Sequence, residues 1–513
     1  MVSHFSQPQW LARSVLVAGL AVVLVLLWSA PGDMHRIDQP RTASYTADMV
    51  AHGRWFLPRD VTGAPSTKPP LVNWVTAPLL LLGWHDQGAF WLPVTVANLL
   101  GIALLAWWAA RLFSQGDDAA QAPVLGALAA MLTLASPYSV SLPVYVRPDG
   151  LLVPLLTASW VVTTLLLDRL HRQSQEPGTP YPTGLAVGFW VAVGLLGLTK
   201  FVPALYPILY AVLASRFHYR SPELWKRIGW AWGLPLALGL FAVWLVPAYW
   251  ADPLYFRKGL IGVETLGRFT GLQGIYGARH HTSSGPWDLL LGVWKIPAWT
   301  LERFAPLSLL ALVAVARRRL WCCEDARLTP AFLWMTLILL LPLASAGKTA
   351  QYLLPAISPM AVLAAAEAAP WLRRQRAKAW ASAAAVGGAA LMAIGFAVWF
   401  HWFCYAGKNP TATHLRTFAR ESSRIVGTEP VVYVETGYTT LQALMGRNQA
   451  GRADAAQWAR AKWVIAPVPL LPGVMPRLAS GTITPEHDRR PSVVFGLFPI
   501  DAVQGTALVS SDP

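Results

Sequence analysis

The chain has 513 residues, 55% of them hydrophobic and only 13% charged, with a mean hydropathy of +0.42. A soluble domain carries about 25% charged residues, so composition excludes an ordinary soluble protein and indicates a membrane one. The formal net charge of +15 implies an anionic partner, but most basic residues fall in short loops between apolar runs, which points to topology and lipid phosphate, not nucleic acid.

Residues 14–30 form the first apolar run, long enough to span a bilayer. The Ser-Ala-Pro-Gly that follows also fits a signal peptide, but the many later spans favour an uncleaved signal anchor. This places the N-terminus in the cytoplasm and residues 33–87 outside. Within that outer loop, 41–53 reads as an amphipathic helix, with Tyr45 and Met49 one turn apart and Gly53 ending it. Such a helix can lie along the membrane surface. The apolar stretch 71–84 is too short to cross and reads as interfacial or re-entrant.

Further spans are predicted at 88–111, 122–138, 149–167, 183–199, 201–216, 228–250, 288–316, 328–346, 352–370 and 379–403. Alternate loops then carry the arginines and lysines expected on the cytoplasmic side: Arg169 and Arg172, Arg216 to Arg227, Arg317 to Arg327, and Arg373 to Lys378. The loop at 112–121 breaks the pattern, because Asp117 and Asp118 dominate it. The abundant tryptophan, 26 residues, is expected at the bilayer interfaces. From Tyr405 onward the composition is that of a soluble domain. There 411–424 reads as helix and 431–434 and 463–466 as short buried strands. An odd number of spans puts this domain on the outer side. Cys322, Cys323 and Cys404 form neither a disulfide framework nor a zinc spacing. No internal repeat or glycine-rich nucleotide loop is present.

Positive charge on the outer loops opposes the topological bias, and binding phosphate is its simplest use. Three outer features gather it. Asp38 with Arg41 follows the first span. Lys68-Pro69-Pro70 fixes a cation near the membrane surface, because two prolines stiffen the chain. Arg147-Pro148-Asp149 sets a carboxylate at the mouth of a span. Singly, each reads as a solvated charge or an Arg–Asp pair. Together on one face they form an anionic-ligand site. Asp48, one helical turn from His52, is expected to pair locally, and Asp33 and Asp60 to be solvated.

These motifs resemble the polytopic lipid-dependent glycosyltransferases of the GT-C fold, most of all the bacterial aminoarabinose transferase and protein O-mannosyltransferase-like group. That group opens on Asp-Glu-x-Arg-Tyr, matched by Asp38-Gln39-Pro40-Arg41-Thr42. Gly53-Arg54-Trp55-Phe56-Leu57-Pro58 and Gly63-Ala64-Pro65 follow in the family's order. Its Glu-Lys-Pro-Pro-Leu is matched by Thr67-Lys68-Pro69-Pro70-Leu71. Arg147-Pro148-Asp149, Leu198-Thr199-Lys200 and the KTAQYLLP segment from Lys348 to Pro355 resemble later motifs. Glu264 to Phe269 with Gly285-Pro286-Trp287 resembles the family's middle loop. The likeness covers roughly residues 10–405.

The resemblance implies an α-helical polytopic membrane protein of 11–13 transmembrane helices with amphipathic helices in the first periplasmic loop. Residues 1–404 would be the glycosyltransferase domain, with its catalytic platform at 33–87, and 405–513 a small periplasmic α/β domain. The implied activity moves a sugar from a polyprenyl-phosphate donor to a lipid A, protein or other envelope acceptor at the periplasmic face of the inner membrane. Asp38 matches the catalytic aspartate and Asp149 a second carboxylate of the site. Lys68, Lys348 and Tyr352 match positions near the carrier phosphate. Arg41, Arg147, Lys200 and Arg268 match the substrate-binding region, with His280 or His281 on the same middle loop as Arg268. The family's glutamates are replaced by Gln39 and Thr67, and its tyrosine by Thr42. Losing the acid at 67 argues against a tightly held metal, although the family leaves a divalent ion open. Two other classes compete: a polyprenyl-lipid flippase and a non-catalytic scaffold. A flippase would call for inverted repeats or mid-membrane ionisable residues, and the sequence has neither. A scaffold has no need of Asp38.

Overall fold

The computed structural model describes residues 7–29, 38–60, 63–84, 87–176, 178–267, 286–323, 325–344, 349–375, 378–400, 410–433, 455–480 and 494–503. The described chain is mostly helical. It begins with α1 (Gln7–Ser29), then the two helices of the first loop, α2 (Asp38–His52) and α3 (Leu71–Leu81). The bundle continues with α4 (Gln87–Phe113), α5 (Ala122–Leu132), α6 (Pro148–Gln175), α7 (Thr183–Gly197), α8 (Tyr206–Leu213) and α9 (Trp230–Ala251). After a segment wound as a π-helix at Phe256–Gly267 come α10 (Pro286–Phe304), α11 (Leu307–Arg317), α12 (Thr329–Leu340), α13 (Ile357–Arg374) and α14 (Ala379–Trp399).

Six described helices are long and apolar enough to cross a membrane, or seven if one bent pair counts as a single span. This is fewer full-length spans than the sequence suggests. The apolar segments are where they were expected, but Ala119–Leu132, Thr183–Gly197 and Thr329–Leu343 are shorter helices. The predicted span at 288–316 is also not one rod. Val293–Phe304 and Leu307–Arg317 meet at 115°. Pro306, the residue that caps α11, has no N–H to continue the ladder from α10.

Burial sorts the helices. The apolar window of α6 is 78% buried and that of the segment containing α13 is 83%, against 22% for α1 and for α9. α6 and α13 are therefore central, and α1 and α9 present most of their surface to lipid. Tryptophan is not confined to interfaces. Trp108, Trp160, Trp190, Trp244 and Trp334 are fully buried, and a chain of rings from α4 through α6 to α12 links Trp108, Trp160 and Trp334. Tyr210 of α8 packs edge-on against Trp334. Such rings add dispersion contacts that lipid-facing aliphatics lack.

The first loop is more deeply embedded than the sequence implies. Helix α2 ends at Gly53, whose φ of +67° suits glycine, as expected. However, α2 does not rest on a surface with its polar side exposed. Gln39, Ser44, Thr46, Asp48 and Met49 are all buried. Asn73 of α3 donates to the Thr42 carbonyl at 2.7 Å and to Thr46 Oγ1 at 2.9 Å, so the polar side of α2 is satisfied by protein.

At the other end of the bundle, acids and bases from three loops interlock. Arg327 and Arg373 bracket Asp118 at 3.0 and 3.4 Å, and Arg373 also reaches Asp117. Arg318 lies between Glu367 at 3.3 Å and Asp325 at 3.8 Å. The two aspartates that break the positive pattern of loop 112–121 are thus neutralised by arginines from elsewhere in the chain.

Beyond the bundle, α15 (Pro410–Val426) and α16 (Ala455–Arg460) accompany a small sheet. Its strands are β1 (Val431–Tyr433), β2 (Trp463–Pro467), β3 (Leu478–Ala479) and β4 (Phe495–Pro499), in the order β1-β2-β4-β3. β1 and β2 are parallel, and the remaining pairs are antiparallel. Phe418, Tyr433, Ile465 and Leu497 form a core on one face, and Val464, Ala466, Phe498 and Val503 on the other. The predicted helix and both predicted strands are present. β3 and β4 were not foreseen.

Candidate active site

The loop after α2 is built on two buried acids. Asp48 accepts from the Arg59 backbone N–H at 2.7 Å and pairs with His52 at 2.9 Å and Arg54 at 3.2 Å. Its expected local pairing is observed. Asp60 is not solvated, as the sequence reading had it. It is 1% exposed, pairs with Arg41 Nε at 3.3 Å and accepts from the Ala64 N–H at 3.1 Å. Its carboxylate closes the turn around Gly63. Arg41 therefore braces the loop through Asp60.

Several groups then hold the segment leading to Lys68. The Pro65 carbonyl accepts from the hydroxyls of Tyr45 at 3.4 Å and Tyr255 at 3.2 Å. Trp244 Nε1 donates to the Phe56 carbonyl at 2.8 Å, and Trp74 Nε1 to that of Trp55 at 2.9 Å. Past Lys68-Pro69-Pro70, the Leu71 N–H donates to the Leu198 carbonyl at 3.1 Å. This bond brings the Lys68 segment against the Leu198-Thr199-Lys200 turn.

The second half of the site is the start of α6. Arg147 is its extended N-cap residue, Pro148 occupies the first turn without needing a donor, and Asp149 lies in the same turn, where the helix dipole favours a carboxylate. Asp149 is fully buried. Its Oδ1 accepts from Lys200 Nζ at 2.5 Å, and Arg147 Nε lies 3.9 Å from Oδ2. Lys68 is near enough to act electrostatically on the same carboxylate. Lys200 Nζ also sits 5.5 Å from the centre of the Tyr352 ring, a cation–π distance.

The site is held from behind. Asn98 of α4 donates to the Gly150 carbonyl at 2.9 Å. Gln39 of α2 accepts the Val146 N–H at 2.9 Å through Oε1, which ties the helix beginning at Asp38 to the turn bearing Asp149. Tyr145 was not singled out from sequence. Its hydroxyl accepts from Arg147 at 2.8 Å and from Gln351 at 3.4 Å. No period-two spacing marks it in the sequence, because the chain turns tightly here: the Arg147 N–H donates back to the Tyr145 carbonyl at 2.8 Å.

The structure thus gathers Lys68, Arg147, Asp149, Lys200 and Tyr352, and turns Arg41 towards Asp60. Asp38 starts α2, but its side chain lies outside the described residues, as do Arg268, His280, His281 and Lys348. Among the described residues no three His, Cys, Asp or Glu side chains converge in a way that could hold a metal ion. The arrangement suits a phosphate: fixed cations, one buried carboxylate that aligns two of them, and an aromatic wall.

No family model matches the chain. Two curated relatives are both undecaprenyl phosphate-α-4-amino-4-deoxy-L-arabinose arabinosyl transferases. The one from Aeromonas salmonicida is 25% identical over 376 residues, 70% of this chain, and the one from Aeromonas hydrophila is 24% identical over 355 residues, 67% of this chain. The matches span 61% and 57% of those relatives' own lengths. Among solved structures, ArnT from Cupriavidus metallidurans bound to undecaprenyl phosphate superposes with a TM-score of 0.64 at 18% identity, covering 93% of this chain and 97% of that one. The oligosaccharyltransferase AglB from Archaeoglobus fulgidus, in complex with an inhibitory peptide and a dolichol-phosphate, gives 0.52 at 12% identity, covering 90% and 69%. The long apolar helices make this a multi-pass membrane protein, and its fold is the GT-C fold of the ArnT-like glycosyltransferases.

Proposed function

We propose that the protein is a membrane glycosyltransferase that moves a sugar from an undecaprenyl-phosphate donor to an envelope acceptor, either a glycolipid such as lipid A or a protein. The bacterial inner membrane holds it, with the site and the domain from residue 405 on the periplasmic side. The observation that carries this reading is the buried Asp149 aligning Lys200 and Arg147 beside Lys68 and Tyr352. The relatives' names and the polyprenyl phosphates bound to structures of the same fold support it.

In this reading the acceptor hydroxyl attacks the anomeric carbon and gives its proton to Asp38 as the carbon–oxygen bond forms. The bond from that carbon to the phosphate oxygen breaks, and the carrier phosphate leaves with the electron pair. Negative charge grows on the phosphate in the transition state, where Lys68, Lys200 and Arg147 stabilise it, joined by Lys348 and Arg268 if they act as the family resemblance implies. Asp149 keeps Lys200 and Arg147 oriented before the ligand arrives, which lowers the reorganisation needed. Arg41 acts one step back, by holding the loop that carries Lys68.

Mass spectrometry of envelope lipids and secreted proteins from a deletion strain tests this, with complementation by wild type, Asp38→Asn or Lys68→Ala. A glycan that is lost on deletion and restored by wild type alone supports the reading. A glycan profile unchanged by deletion overturns it.

A further inference from the structure

Building on the glycosyltransferase reading, we infer that Tyr145 is a positioning residue. Its hydroxyl sets the spacing between Arg147 and the turn that carries Tyr352, and through them the affinity for the carrier phosphate. The groups of the site come from separate parts of the chain. Arg147 and Asp149 belong to the start of α6, Lys200 to the turn after α7, and Tyr352 to a short helical turn at Ala350–Ala356. Preorganised binding requires these parts to be held at fixed spacing before a ligand arrives. Asp149 does this for Lys200 and Arg147. The Tyr145 hydroxyl does it for Arg147 and the Tyr352 turn.

The contacts close a ring. Lys200 donates to Asp149 Oδ1, and Arg147 Nε lies 3.9 Å from Oδ2 of the same carboxylate. Arg147 Nη1 donates to the Tyr145 hydroxyl oxygen at 2.8 Å, and Gln351 Nε2 donates to that oxygen at 3.4 Å. Tyr352, the next residue, places its ring centre 5.5 Å from Lys200 Nζ. Arginine has no acceptor, so the phenolic oxygen accepts from it, in a charge-assisted bond. The longer Gln351 bond is the weaker of the two, and it reaches the Tyr352 turn. The hydroxyl is a rigid post because the backbone beneath it is pinned. The Tyr145 N–H donates to the Leu142 carbonyl at 3.2 Å, and its own carbonyl accepts the Arg147 N–H at 2.8 Å. That carbonyl also packs against Gly150 with no room for a Cβ, and Gln39 holds the next N–H, of Val146. A bond to so fixed an oxygen restrains Gln351 and the turn behind it. The Arg147 guanidinium also lies 5.5 Å from the centre of the Tyr145 ring, a contact that phenylalanine would keep. Tyr145→Phe thus removes the hydroxyl alone.

The test uses the full chain in nanodiscs, with labelled undecaprenyl phosphate displaced by the unlabelled lipid or by undecaprenol, beside the melting temperature. Tyr145→Phe should weaken undecaprenyl phosphate about three- to tenfold and leave undecaprenol, which lacks the phosphate, unchanged. Gln351→Leu should weaken it about two- to fivefold in the wild-type background and have no further effect in Tyr145→Phe, where its bond is already gone. Wild-type affinity in either single variant overturns the inference while leaving the glycosyltransferase reading intact. So do losses that multiply in the double variant, which make the two residues independent. Losses that fall equally on undecaprenol, or that track a lowered melting temperature, also overturn it, because they assign both residues to the general packing. Gln351 is half-buried, so its variant decides the matter even where Tyr145→Phe folds poorly. Failure of undecaprenyl phosphate to bind the wild type overturns the glycosyltransferase reading, and this assignment with it.

Discussion

Lys200 and Asp149 meet at 2.5 Å although 51 residues separate them, and both side chains are largely withdrawn from solvent. Lys200 comes from the turn after α7 and Asp149 from the first turn of α6, so the pair forms only when the two helices are docked. Removing one partner of a buried pair leaves the other uncompensated, which costs about 3–5 kcal/mol. Lys200→Met should therefore lower thermal stability in detergent as well as donor binding. Combining it with Asp149→Leu should recover much of the stability and none of the binding. Stability measured for the two variants side by side checks this.

Gly150 is a second sensitive point. A Cβ there would lie 2.2 Å from the Tyr145 carbonyl oxygen and 2.8 Å from Val94. Gly150→Ala should cost about 1–3 kcal/mol through overpacking. It should also weaken donor binding, because Asp149 and the Asn98 contact move with the backbone. Parallel melting and displacement measurements would show both losses. A fully stable variant with normal binding would contradict this close packing.

Asp60→Ala removes the acceptor for Arg41 and for the Ala64 N–H together. The expected loss is about 1–3 kcal/mol, as for a buried polar group left without its partner. Because that turn leads into the segment ending at Lys68, limited proteolysis should find the loop more accessible in the variant. Donor affinity should fall more than in Asp33→Ala.

Stability should also depend on pH through His218, which lies just past α8 and outside the spanning segments. Burial, and after it the neighbouring His171, pull its imidazole from 6.5 down to about 4. The unfolded chain thus takes up this proton at a higher pH than the folded protein. The histidine contributes no penalty above pH 6.5, and stability falls as pH drops from there towards 4. His218→Gln should flatten the melting temperature across that window relative to wild type.

The order of motifs made the fold legible, and the apolar runs placed nearly every helix. The state of α2 was harder to read. Its length and its end at Gly53 follow from periodicity and backbone conformation. Its burial does not, because Thr42, Ser44, Thr46 and Asp48 are polar residues of the kind that ordinarily face solvent. They are satisfied inside the protein by Asn73, by their own helix carbonyls and by Arg59. The pairing of Arg41 with Asp60 was hidden for a similar reason: it depends on how a 19-residue interval folds back, and charge spacing along the chain carries no record of that. The bend before Leu307 was ambiguous because proline alone does not break these helices. Pro154 and Pro235 lie inside α6 and α9. In the candidate site, Lys68, Arg147, Asp149, Lys200 and Tyr352 are singled out by motifs in the sequence, whereas Tyr145 and Gln351 make contacts that exist only once the chain is folded.

The acidic turn between α4 and α5 has a consequence for the order of events during synthesis. Its counter-ions are Arg327 and Arg373, which lie 209 and 256 residues downstream of the aspartates they meet. When α4 and α5 leave the ribosome, neither arginine has been made. The ion pairs that match these acids can form only when α12 and α13 arrive. A chain truncated before Arg327 should consequently show mixed orientation of this one hairpin, while the first span, with Arg13 ahead of it, remains correctly inserted.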